Sequence, residues 1–108
     1  MPLDASLSTE NGISTITLSG ELDGSSAPRF RDQVDQAFAP GTTRLVLQLK
    51  DLEYIASAGI RVLVYAKQKM GADVDIYVVA AQEQILDTLQ KTGVDRSVHI
   101  VDSYDETT

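Results

Sequence analysis

The chain has 108 residues, 43% of them apolar, no cysteine, and a formal net charge of −7. The missing cysteine rules out thiol catalysis, disulfides and cysteine-ligated metals, and fits a reducing compartment. The acidity disfavours direct contact with nucleic acid or anionic lipid. No apolar run makes a membrane span and Met1-Pro2-Leu3-Asp4 carries no signal-peptide pattern, so one soluble, cytoplasmic domain over residues 1–108 is expected.

Residues 3–9 alternate strictly, with Leu3, Ala5 and Leu7 on one face and Asp4, Ser6 and Ser8 on the other, as in a half-exposed strand. Asn11-Gly12 signals a tight hairpin turn, because both residues tolerate positive φ. Residues 13–22 form the second strand, with Ile16, Leu18 and Leu22 sharing a face. The Gly20–Ser26 segment is a loop, and Ser25 or Ser26 caps a helix that has Pro28 in its first turn. Phe30, Val34, Ala37 and Phe38 fall on the apolar face of that helix, which Pro40-Gly41 ends.

Residues 44–49 form a short apolar strand, and Asp51 to Ala56 lead to a second helix from Ser57 to about Met70, stopped by Gly71. Val74–Ala80 reads as a buried strand. A third helix covers about Gln82 to Thr92, with Ile85, Leu86 and Leu89 towards the core and Gly93 as its stop. Val98–Val101 is the last strand, followed by a polar, acidic end from Asp102. The order β-β-α-β-α-β-α-β predicts an α/β fold: a mixed sheet that begins with an antiparallel hairpin, continues through βαβ units and has helices packed on it. Gly59 sits just inside the second helix, where glycine costs up to about 1 kcal/mol against alanine, so a close approach by packing or by a partner is expected there.

Ser57 is the first candidate functional residue. As an N-cap its oxygen would accept an N–H of the first turn. As a phosphoacceptor it would place about −1.5 to −2 charges beside the positive end of the helix dipole. The small neighbours Ala56, Ala58 and Gly59 leave the hydroxyl open, and Arg61 is the one arginine near it in sequence, against acidic Asp51 and Glu53. Arg61, Tyr65 and Gln68 recur at helical spacing and can extend a partner surface from Ser57, or form an ordinary solvated face. Asp23, with Gly24 beside it, is expected at the same end of the sheet, as a partner contact or as the start of an Asx-type turn.

His99 is the only histidine, so no histidine triad or multi-histidine metal site exists, and its strand position makes it structural. No P-loop or dinucleotide fingerprint is present. We therefore expect no catalytic residues, cofactor or metal, and a protein that is not an enzyme. A small nucleotide-binding or hydrolytic enzyme is the minor alternative that fold class alone leaves open.

Gly20-Glu21-Leu22-Asp23, the Ser26-Ala27 start of a helix that carries Phe30, the run Asp51-Leu52-Glu53-Tyr54-Ile55-Ala56-Ser57-Ala58-Gly59-Ile60-Arg61-Val62-Leu63, and Leu89 with Thr92-Gly93-Val94-Asp95 together resemble the STAS domain family. The likeness is to its single-domain anti-sigma factor antagonists, over roughly residues 3–105. The resemblance implies binding to an anti-sigma factor that is also a GHKL-type serine kinase. Phosphorylation of a serine at the start of the second helix ends that interaction, and a PPM-type phosphatase restores it. Aligned on the family's Asp-Ser-Ser/Thr-Gly motif, the acceptor is Ser57 and the glycine is Gly59. The aspartate position is Ala56 and the second hydroxyl position is Ala58. On the same basis Asp23, Gly24, Ala56, Ala58, Gly59, Arg61 and Tyr65 are expected at the partner surface. The loss of the aspartate keeps a second reading open, a STAS scaffold or transporter accessory that is never phosphorylated. The chain ends at Thr108, so the family's C-terminal helix is expected to be short or absent.

Overall fold

The structure, a computed structural model, describes residues 2–105. Its elements are β1 (Asp4–Glu10), β2 (Ile13–Leu22), α1 (Ala27–Ala37), β3 (Arg44–Ile55), α2 (Ser57–Met70), β4 (Asp75–Val79), α3 (Glu83–Thr92), a 3₁₀ turn at Val94–Ser97, and β5 (His99–Val101). They build one sheet of order β1-β2-β3-β4-β5, with β1 antiparallel to β2 and all other neighbours parallel. The expected mixed α/β architecture is therefore observed. The β1–β2 turn is the two-residue Asn11-Gly12, with φ of 54° and 80°, and it joins the Glu10–Ile13 pair. Both positive φ values belong to the turn whose twist matches that of the strands.

Parallel strands that neighbour one another in chain order, joined by right-handed crossovers, put their helices on one face. The core follows from this. Phe30, Val34, Ile60, Leu63, Ile85 and Leu89 from the helices join Ile16, Leu18, Leu22, Leu45, Leu47 and Leu49 from the strands in one buried cluster. The opposite face carries a smaller cluster of Val46, Tyr77 and Val79, against which Ile13, Val101 and Tyr104 pack.

Three sequence expectations need correction. β3 does not stop at residue 49 but runs to Ile55. Its register against β2 slips twice, first between the Thr17–Gln48 and Ser19–Asp51 pairs, then between the Gly20–Leu52 and Glu21–Tyr54 pairs. Each slip inserts one extra residue on β3, so the inward positions go from Leu45, Leu47 and Leu49 to Leu52 and Ile55. Bulges break period-two alternation without ending the strand, which is why this stretch reads as a loop. Phe38 caps α1 from outside the helix and lies 43% exposed, off the core face. Leu86 is only partly buried and stands on the outer side of α3 with Glu83 and Asp87. After β5, Tyr104 meets the Tyr77 ring edge-on, and its hydroxyl accepts a 2.9 Å hydrogen bond from Arg44 Nη1.

Candidate functional site

The C-terminal ends of β2 and β3 and the N-terminus of α2 converge at one end of the sheet. The Ala56 N–H donates to the Leu22 carbonyl at 2.8 Å, fixing the start of α2 against the end of β2. Ala56 has extended backbone (φ −88°, ψ 170°), and its carbonyl accepts from Gly59 and Ile60 at 2.9 and 3.1 Å. Ala56 is thus the N-cap, and Ser57 is the first helical residue rather than the cap that the sequence indicates. A methyl group accepts no hydrogen bond, so α2 has no side-chain cap. Among the described residues, the Ser57 and Ala58 amides find no backbone acceptor. The Ser57 side chain is exposed, and its hydroxyl has no hydrogen bond among the described residues.

Gly59 is buried, and a Cβ built on it would lie 2.7 and 2.8 Å from Cδ2 and Cγ of Leu22 and 2.9 Å from Cγ1 of Ile55. Its missing side chain therefore serves the packing of α2 on the two strand ends. That decides between the two reasons for a close approach left open by the sequence.

Asp23 forms an Asx-type turn. Its Oδ1 accepts from the Ser25 N–H (3.0 Å) and hydroxyl (2.8 Å) and from the Ser26 N–H (3.1 Å) and hydroxyl (3.1 Å), while its own N–H donates to Ser26 Oγ at 2.9 Å. The Ser25 hydroxyl, followed by the Ser26 hydroxyl, holds the carboxyl below its usual range. Hydrogen bonds to the charged form favour it.

Between α1 and the first turns of α2 lies a shallow groove of about 400 Å³, lined by Gly24, Ala27, Pro28, Arg31, Ala58, Arg61, Val62 and Tyr65. Of the residues singled out from sequence, the fold brings Gly24, Ala58, Arg61 and Tyr65 into this groove. Ser57 and Asp23 precede two of its lining residues in the chain. Ala56 is half-buried behind them and Gly59 fully buried beneath. Gln68, grouped with Arg61 and Tyr65 by spacing, instead lines a second, apolar groove with Val64, Lys67, Val94 and Val98. Tyr65 is fixed from α1: its hydroxyl donates to Asp35, and the Arg31 guanidinium lies 4.2 Å from its ring centroid. The Tyr65 hydroxyl, with further help from the Lys69 charge, lowers the Asp35 pKa.

Sequence reasoning missed Arg31, because only the packing of α1 on α2 makes it a wall of the groove. It also missed exposed Tyr54 at the bulged end of β3. Among the described residues no three His, Cys, Asp or Glu side chains come together to hold a metal ion, and no helix is long and apolar enough to cross a membrane. His99 stacks on Tyr77 at 4.7 Å between ring centroids.

Comparison with known proteins adds an independent line. The STAS domain family model matches residues 4–107. An anti-sigma-F factor antagonist of Mycobacterium tuberculosis, RsfB, is 24% identical over 98 residues, covering 91% of this chain and 80% of its own length. Among solved structures, an anti-sigma factor antagonist from Mycobacterium paratuberculosis superposes with a TM-score of 0.86 at 24% identity, covering 97% of this chain and 90% of that one. The Bacillus cell fate determinant SpoIIAA in its phosphorylated form superposes with a TM-score of 0.72 at 17% identity, covering 96% and 95%. At these identities the structural likeness establishes the shared fold.

Proposed function

The chain belongs to the STAS domain family, and from that membership we propose that it is an anti-sigma factor antagonist switched by phosphorylation of Ser57. In this reading the unmodified protein binds an anti-sigma factor that is also a GHKL-type serine kinase and so frees the sigma factor. The observation that carries the reading is Ser57 itself, an exposed and uncommitted hydroxyl at the first position of α2, beside the α1–α2 groove and the Asp23 turn. RsfB, similar along most of the chain, bears the name of such an antagonist.

The chemistry is a phosphoryl transfer. Ser57 Oγ forms a bond to the γ-phosphorus of ATP, the bond from that phosphorus to the β,γ-bridging oxygen breaks, ADP leaves, and the hydroxyl proton passes to a base on the kinase. A PPM-type phosphatase reverses the state by hydrolysis to inorganic phosphate. The added charge of about −1.5 to −2 at an interface is costly unless paired. A loss of about 4 kcal/mol is roughly a thousandfold in affinity. Asp23, Gly24, Ala56, Ala58, Arg61 and Tyr65 are the proposed partner surface, with Gly59 supporting it from below.

The test is incubation with the cognate kinase and ATP, followed by mass spectrometry, with Ser57 expected to carry the phosphate. Phosphate on another residue, or none with a kinase that is active and binds, refutes the switch. Ser57→Ala should keep binding after that treatment and Ser57→Glu should bind weakly from the start. The second reading, a STAS adaptor that is never phosphorylated, draws on Ala56 in place of the family's aspartate. It predicts binding to a partner that leaves Ser57 unmodified and is indifferent to Ser57→Glu.

A further inference from the structure

Arg61 stands four residues after Ser57 on α2, so the two side chains are neighbours on one helix face. Its guanidinium is exposed and makes no ion pair, hydrogen bond or ring contact among the described residues. The two arginines of α1, by contrast, are engaged, Arg29 donating to the Leu3 carbonyl at 2.6 Å and Arg31 lying over the Tyr65 ring. Arg61 also lines the α1–α2 groove, whose lining carries two guanidiniums and no carboxylate, in a chain of net charge −7.

We infer that Arg61 is the internal counter-charge of phosphorylated Ser57, drawn to the phosphate and away from the groove once the modification is made. The inference rests on Ser57 being the acceptor. It adds a second effect to the new negative charge: the α2 wall of the groove loses its cation at the same moment. A guanidinium matches phosphate geometry through paired N–H donors, and an arginine one turn along a helix reaches such a group without a change of backbone. Groove and modification site are then coupled through one side chain, and a partner group that uses Arg61 competes with the phosphate for it.

The test needs no kinase. Phosphoserine is installed at position 57 during translation, in the otherwise unchanged chain and in Arg61→Gln, Arg61→Lys and Arg31→Gln variants, and the second phosphate pKa is followed by phosphorus NMR. A nearby cation favours the dianion, so Arg61→Gln should raise that pKa by roughly 0.3 pH unit. Arg61→Lys should recover most of the shift, and Arg31→Gln should leave it unchanged. The carboxylates of the strands and loop leading to this end of the sheet, Glu21, Asp23, Asp51 and Glu53, are present in every variant, so the differences isolate the two arginines. An equal pKa with and without Arg61, or a shift that follows Arg31 instead, overturns the inference. Failure of the kinase to modify Ser57 would sink the proposed switch and leave this measurement unaffected.

Discussion

Replacing Gly59 by alanine tests the packing that holds the start of α2 on the sheet. The new methyl would lie 2.7–2.9 Å from Leu22 Cδ2, Leu22 Cγ and Ile55 Cγ1, where carbon atoms in contact normally keep about 3.5–4.0 Å. Leu22 is fully buried and Ile55 7% exposed, so neither has open space to retreat into. Overpacking of this kind costs about 1–3 kcal/mol. Leu22 and Ile55 have nowhere to move, which places the cost in the upper half of that range; alanine's better helix propensity offsets up to about 1 kcal/mol, leaving a net loss of about 1–2 kcal/mol. For a domain of this size that corresponds to a fall of roughly 4–9 °C in Tm. Urea unfolding followed by circular dichroism should show a lower midpoint at unchanged m. Leu22→Ala removes most of the obstructing atoms at a cost of about 2–5 kcal/mol of its own. In that background Gly59→Ala should become nearly neutral, a coupling that a double-mutant cycle reads directly. A Gly59→Ala protein as stable as the original, or equal penalties in both backgrounds, would refute the packing argument.

Three further predictions concern the same end of the sheet and the α1–α2 contact. Ala56→Asp places a carboxylate at an N-cap whose backbone is already extended, within reach of the Ala58 and Gly59 amides, and should stabilise the protein by about 1 kcal/mol. An unchanged melting temperature would show that position 56 does not cap α2. Asp23 and Asp35 have folded-state pKa values below the usual 3.8, so their contribution to stability is present above that value and is lost as pH falls through the folded pKa. Asp23→Asn should therefore flatten the acid limb of the stability profile below about pH 4. Tyr65→Phe should raise the Asp35 pKa in a carboxyl NMR titration, and no change there would contradict the Tyr65–Asp35 hydrogen bond.

Much of this molecule is written in short-range pattern. Strict alternation and Asn11-Gly12 specify the β1–β2 hairpin, and Gly71 and Gly93 mark where α2 and α3 stop. Ser57 to Gly59, read with the Gly20–Asp23 segment, identify the family before any coordinate is known, because each signal lies within a few neighbouring residues. Other features depend on which elements meet. Two bulges hide the second half of β3 by breaking the alternation that defines a strand in sequence. A single-residue shift in phase makes Ala56 the cap and frees Ser57. The packing of α1 on α2 brings Arg31 and Tyr65 into one groove with Arg61 and sends Gln68 to another, although spacing alone groups Gln68 with Arg61 and Tyr65. Local sequence thus determined the elements, their order and the exposed serine. Tertiary structure decided that Gly59 serves packing against Leu22 and Ile55, and that Arg61 is left uncommitted on the wall of the α1–α2 groove. The physical reason is that backbone periodicity acts over three or four residues, whereas close contacts and charge pairings are set by distances between elements far apart in the chain.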